Sequence, residues 1–247
     1  SCTSLRDICL CLKAHQNNLY HLGIRQQVNQ SSLSRANEKR DYRIFQDFGY
    51  HLIEQVRPLF AKERTPLIDL EETIFALDST SISVSINLAA WASGKYSRGA
   101  VKMHTLLDLR GNIPTFIHIS DGTWHDSNVM DYIQFESNAV YTMDKAYVDL
   151  TALNKMDSIG AYFVTRAKSV MRYRIIETMD TNEDGILADQ LVMLTGHKSS
   201  RLYPKPLRIV QYRDAETNEE LTFISNNMDI SALDIANIYR NRWQIEV

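Results

Sequence analysis

Two aspartates each close a short apolar run. Asp78 follows Ile74-Phe75-Ala76-Leu77, and Asp144 follows Ala139-Val140-Tyr141-Thr142-Met143. A carboxylate at the carboxyl end of a buried strand is costly unless it is paired or holds a metal. If the two strands are neighbours, the pair forms a cradle for a hard cation such as Mg²⁺, whose preferred donors are carboxylate oxygens. Two such ions generate a nucleophile from water and relieve charge on a leaving oxygen, which is what phosphodiester cleavage requires. The plainer alternative makes Asp78 the start of an Asx turn with Ser79-Thr80, and Asp144 the cap of the next helix. Near the C-terminus Tyr239, Arg242 and Glu246 stand at i, i+3 and i+7, so they share one face of a helix. Glu246 could complete a metal shell there, with the phenol and guanidinium reaching a phosphate or an unstacked base; the alternative is an ordinary solvated face.

The elements that must position these residues follow from hydrophobic period and turn chemistry. Residues 4–22 predict a helix (Leu5, Ile8, Cys9, Leu12, Leu19) ending at Gly23; residues 31–40 predict a short basic helix; residues from Asp41 to about Pro58 predict a third. With a polar, basic middle helix, this segment of residues 1–65 reads as a helix-turn-helix-like DNA-binding unit or as a plain bundle, and Arg35, Lys39 and Arg40 are its candidate DNA contacts. From Thr73 the texture changes. Strands are expected at 74–86, 100–109, 113–119, 139–143 and 161–165, with a hairpin at Arg110-Gly111-Asn112, a helix over His125 to Phe135, and a helix capped by Asp149. That order is the order of a ribonuclease H-like mixed sheet with helices, an α/β domain covering residues 70–168. Residues 169–228 read as a β-rich insertion, and 229–247 as a last helix capped by Ser231.

Bulk properties narrow the class. The chain has 247 residues, 44% of them apolar, and no run long enough to span a membrane. A soluble, cytoplasmic protein with no membrane partner is expected. The formal charge of −3 argues against a uniformly basic nucleic-acid binder, yet residues 1–65 hold ten Lys/Arg against six acids, and residues 166–213 nine against five. Two basic surfaces would then flank an acidic, cation-binding centre. Cys2, Cys9 and Cys11 are too few and too bunched for a disulfide framework or a zinc site.

Several ordered blocks resemble transposases encoded by bacterial insertion sequences. They are Leu77-Asp78-Ser79-Thr80 with Gly99 to Asp108 and Gly111-Asn112-Ile113-Pro114; Asp144-Lys145-Ala146-Tyr147-Val148-Asp149 with Phe163 to Lys168; and Ile238 to Glu246. The third block is similar to the Tyr-x2-Arg-x3-Glu-x6-Lys signature of one large family in that class. The resemblance implies an acidic-triad mechanism in which Asp78, Asp144 and Glu246 hold two Mg²⁺ or Mn²⁺ ions. Water cuts one strand at the transposon end, and the freed 3′-hydroxyl attacks the other strand or a target. It further implies that Tyr239 and Arg242 handle the DNA end, and that double-stranded DNA, bound as a homodimer, is the partner. The signature lysine would fall at position 253, past Val247, and Ala146 stands where relatives often have glycine. The chain starts at Ser1 and its last helix lacks a stop signal, so both ends are expected to be cut, with weak metal binding and little strand transfer as consequences. An inactive form that only binds or inhibits at transposon ends is the alternative.

Smaller signals complete the reading. Asp180-Thr181-Asn182-Glu183-Asp184-Gly185 resembles the opening of an EF-hand loop, but position twelve is Leu191 and no helix pair flanks it, so a turn is expected. Lys102, His104 and His125 are candidates for the neighbourhood of the metal, and Trp91 and Trp124 for stacking on bases or packing in the core.

Overall fold

The computed structural model describes residues 4–60, 70–84 and 99–242. Trp91 and Glu246 lie outside the described residues. The chain forms two compact units, residues 1–52 and 53–247.

The first unit is helical. Helix α1 (Leu5–Ala14) begins at Ser4, whose hydroxyl accepts from the Asp7 amide at 3.2 Å. The single helix expected over residues 4–22 breaks at His15, which leaves helical dihedrals, and continues as α2 (Gln16–Leu19) and a 3₁₀ turn at Tyr20–Leu22. His15 is itself a weak helix former, which favours the break there. Gly23 closes the turn at φ +83°, a left-handed position suited to glycine. Helix α3 (Gln30–Lys39) packs on α1 and carries Arg35 and Lys39, with Arg40 at its end, all three exposed. Helix α4 (Arg43–Phe60) starts in this unit and runs on past its boundary at residue 52, with Pro58 inside its last turn. Cys9 and Cys11 lie on α1. No described helix is long and apolar enough to cross a membrane.

The second unit is built on one nine-stranded sheet. Strands β1 (Ile74–Val84), β2 (Gly99–Asp108) and β3 (Ile113–Asp121) form an antiparallel meander, and β4 (Val140–Met143) and β5 (Tyr162–Arg166) run parallel to β1. The loop joining β2 and β3 spans residues 109–112, with Asn112 at φ +52°. This β3-β2-β1-β4-β5 order is the ribonuclease H-like arrangement the element order anticipates. Helix α5 (Leu150–Ser158) joins β4 to β5, and Asp149 caps it by accepting from the Thr151 and Ala152 amides at 2.9 and 3.0 Å. Between Asp126 and Asp131 the chain makes only a 3₁₀ stretch where a helix to Phe135 was expected. Asp126, Ser127 and Asn128 favour side-chain-capped turns over helix.

The expected β-rich insertion is present as four strands between β5 and the last helix. Strands β6 (Tyr173–Met179), β7 (Ile186–Leu194), β8 (Leu207–Arg213) and β9 (Glu220–Ser225) extend the same sheet, with β9 antiparallel to β5 and the order continuing β9-β8-β7-β6. A short helix, α6 (Ser199–Leu202), links β7 to β8. Helix α7 (Ala232–Asn241) ends the described chain and begins at Ser231, whose hydroxyl accepts from the Asp234 amide at 3.0 Å.

Alternation along the strands divides the core in two. Phe75, Leu77, Tyr141, Met143 and Phe163 face one side, where α5 brings Leu153 and Met156. Ile74, Ala76, Val140 and Val164 face the other, where α7 brings Ile235, Ala236, Ile238 and Tyr239. Helices cover both faces of the parallel strands, which accounts for the near-continuous apolar runs that precede each aspartate.

Candidate active site

Register places the two aspartates. The parallel ladder of β1 and β4 runs from Ile74 opposite Val140 to Leu77 opposite Met143. The next residue on each strand is Asp78 and Asp144, and neighbouring strands lie about 4.8 Å apart. Leu77 and Met143 point into the core on the α5 side, so the residue after each points to the α7 side. The structure bears this out for Asp78, because Arg242 at the end of α7 donates to its Oδ2 at 2.9 Å. The plainer roles are realised as well. Asp78 Oδ1 accepts from the Ser79 amide at 2.9 Å, and Asp144 Oδ1 accepts from the Ala146 amide at 3.0 Å, capping a 3₁₀ turn at Lys145–Tyr147. Each backbone contact fixes a carboxylate rotamer where the parallel ladder of β1 and β4 ends; β1 itself runs on past Asp78 to Val84, paired with β2. The carboxyl end of parallel pairing is the usual place for ligands in such sheets.

Tyr239 and Arg242 share one face of α7, as their spacing requires, and that face turns inward. Tyr239 is 1% exposed, with its ring centroid 5.0 Å from that of Phe223. The Arg242 guanidinium sits 5.3 Å from the centre of the Tyr239 ring and is itself buried. Burial pushes the Tyr239 phenol above its ordinary range; Arg242 opposes the shift and the nearby Asp144 carboxylate adds to it. Tyrosine, arginine and both aspartates are therefore one electrostatic group. Glu246, the third expected carboxylate, lies outside the described residues. Among the described residues no three His, Cys, Asp or Glu side chains gather closely enough to hold a metal ion.

Beside Asp144, an open groove of about 830 Å³ runs past the ends of β4 and β5. Lys145, Arg166, Lys168, His125 and Tyr173 line it. Arg166 pairs with Glu219 at 3.0 Å, and Lys168 donates to the Val148 carbonyl at 2.8 Å. Arg166 ends β5, and Lys145 and Lys168 each stand two residues past a strand end; all three belong to the resembling sequence blocks, in which no local signal marks their role. The Arg242–Asp78 pair, 164 residues apart in sequence, had no local signal at all.

The histidine and lysine candidates divide. His125 is exposed on the groove rim, with Nδ1 2.8 Å from Ser127 Oγ. His104 is fully buried on the α5 side of the sheet, 3.2 Å from both the Tyr147 hydroxyl and Ser120 Oγ. Burial lowers its pKa to about 4, although Asp126 pulls the other way. It is a neutral core histidine, on the opposite face from Asp78. Lys102 shares its face and is bound to Asp126 at 2.9 Å. Trp124 packs against the rings of His104 and His118, which assigns it to the core.

Known proteins place these blocks. Over 223 residues the chain is 29% identical to a Sinorhizobium fredii protein named as a transposase, y4zB, covering 88% of this chain and 60% of that one. It is 26% identical over 174 residues to a Geobacillus stearothermophilus protein named as the transposase of insertion sequence element IS5377, covering 69% of this chain and 45% of that one. The chain thus spans about half to three fifths of the length of these relatives. Among solved structures it matches an endonuclease V from Streptomyces avermitilis at 10% identity, covering 78% of this chain and 82% of that one, with a TM-score of 0.32, a likeness too loose to bear on function. Residues 1–25 match a domain of unknown function (DUF4372). Residues 69–247, which include the whole sheet and both aspartates, match the transposase DDE domain, and the chain belongs to that family.

Proposed function

We propose that this chain carries the strand-cutting and strand-joining centre of an insertion-sequence transposase acting on double-stranded DNA at the ends of its element, as a homodimer on that DNA. The observation that supports this best is the in-register placement of Asp78 and Asp144 where the parallel ladder of β1 and β4 ends, on the face covered by the helix that bears Tyr239 and Arg242. The donor set suits Mg²⁺ or Mn²⁺: both groups are hard oxygen ligands, and Asp78 already holds a cationic group against it. Asp78 and Asp144, with Glu246, would hold two ions, which when bound supply an activated water and offset charge on the leaving 3′-oxygen.

The remaining work falls to the chain's own side chains. Arg242 and the Ser79 amide orient the Asp78 carboxylate, and the Ala146 amide orients that of Asp144. Lys145, Arg166 and Lys168 attract the phosphodiester backbone along the groove. Arg35, Lys39 and Arg40 on the helical unit add sequence-independent grip on duplex phosphates. Cutting of linear DNA that carries the inverted repeats bounding the element, in Mn²⁺, tests the proposal. Cleavage should depend on the repeat and vanish in Asp144→Asn. Cleavage indifferent to the repeat would instead mark a general metal-dependent nuclease on the same fold.

A further inference from the structure

The acidic segment Asp180 to Gly185 is a turn between β6 and β7. The Glu183 carbonyl accepts from the Ile186 amide at 3.1 Å, and Gly185 takes φ +80°. A Cβ on Gly185 would lie 2.8 Å from the Tyr212 ring and 3.0 Å from the Arg213 carbonyl, so only glycine lets the turn close onto β8. The Gly185 carbonyl accepts from the Arg213 amide at 2.8 Å, which holds it there. In that position Glu183 reaches across to α7, where its Oε2 accepts from the Leu233 amide at 2.7 Å. Leu233 lies in the first turn of the helix, where amides lack partners within the helix and the dipole favours a carboxylate.

A second contact grips the same end. Arg208 on β8 is 4% exposed and binds Asp189 on β7 with two parallel hydrogen bonds of 2.8 and 2.6 Å. Its remaining Nη1 donates to the Ile230 carbonyl at 2.5 Å, and more distantly to that of Asn227 at 3.5 Å. Ile230 directly precedes the cap residue Ser231. A buried ion pair is a poor source of stability compared with apolar side chains of equal volume. What it does that an apolar pair cannot is fix the direction of a carbonyl, here the one that leads into α7.

We propose that Glu183 and Arg208 are positioning residues, through which the four added strands set the placement of α7 and so hold Tyr239 and Arg242 against Asp78. The helix rises about 1.5 Å per residue, so a tilt at Ser231 is carried the length of α7 to Arg242. The consequence for cleavage rests on the reading of the Asp78 site given above; the placement of the helix does not.

The test uses Glu183→Ala, Glu183→Gln and Arg208→Met in the 247-residue chain. Amide hydrogen exchange is followed across residues 231–242, with β5 as internal reference. Loss of a hydrogen bond to a charged group should speed exchange in the first turn of α7 roughly tenfold or more in Glu183→Ala and Arg208→Met. Strand β5 should keep its protection in Glu183→Ala, and Glu183→Gln, which retains an acceptor oxygen, should restore the parent pattern. In repeat-dependent cleavage, kcat should fall in Glu183→Ala and recover in Glu183→Gln while DNA affinity stays constant. Unchanged exchange in α7, a loss in β5 of Glu183→Ala equal to that in α7, or a glutamine variant as damaged as the alanine one would overturn the inference. If Arg208→Met does not fold, the Glu183 pair decides alone. A parent chain that ignores repeat DNA would count against the proposed function, and the exchange pattern would still decide whether these residues position α7.

Discussion

The two halves of the sheet hold their site residues by different means. In the half formed by β1 to β5, backbone register alone brings Asp78 beside Asp144, and alternation turns both toward α7. The half formed by β6 to β9 holds α7 from its first turn through individual side chains, Glu183 and Arg208. Placement by register survives most side-chain changes nearby, because every ladder bond contributes to it. Placement by clamp depends on one or two atoms. Substitutions in the first half should therefore remove chemistry and leave structure, and those in the second should shift structure first.

The sharpest test of that contrast is Asp144→Asn, expected to lower repeat-dependent cleavage by about 10³-fold or more with little change in thermal midpoint. An equal loss of stability would erase the distinction. In the other half, Arg208→Ala leaves Asp189 buried without its guanidinium, and denaturant unfolding should show a loss of about 3–5 kcal/mol. A loss under about 1 kcal/mol would mean the clamp matters little. The first half also contains a pH-dependent element away from the site. His104 is neutral when folded, its pKa lowered to about 4 by burial, whereas in the unfolded chain it titrates near 6.5. Unfolding then takes up a proton between those values, so its contribution to stability is complete above about pH 6.5 and declines as pH falls toward 4, by at most about 1.4 kcal/mol per pH unit. His104→Gln should flatten the stability profile in that window. The smallest effect belongs to Asp149→Ala, which removes the α5 cap and should cost about 1 kcal/mol, without altering cleavage.

The same contrast explains what the sequence disclosed. Asp78 and Asp144 were legible because an apolar run closed by a carboxylate is a local pattern, and so were the caps at Asp149 and Ser231. The union of β6 to β9 with the main sheet was not, since Thr165 pairs with Ile224 across nearly sixty residues and pairing leaves no mark in either segment. The acidic turn at Asp180 to Gly185 read correctly as a turn, but its partner, Leu233, lies 50 residues from Glu183. Tyr239 and Arg242 were placed on one helix face by spacing. Their inward orientation, with the guanidinium on Asp78, depended on which face of the sheet α7 covers. The helix expected from residue 4 to 22 failed at His15 because an apolar period says nothing of the weak helix formers between its members.

Titration of the chain with Mn²⁺, followed by electron paramagnetic resonance, bears most directly on the claim that Asp78 and Asp144 together form a cation site. A saturable site should appear in the parent chain, disappear in both Asp78→Asn and Asp144→Asn, and persist in Asp126→Asn, which alters a carboxylate on the other face of the sheet. A titration that is the same in all four proteins would contradict it.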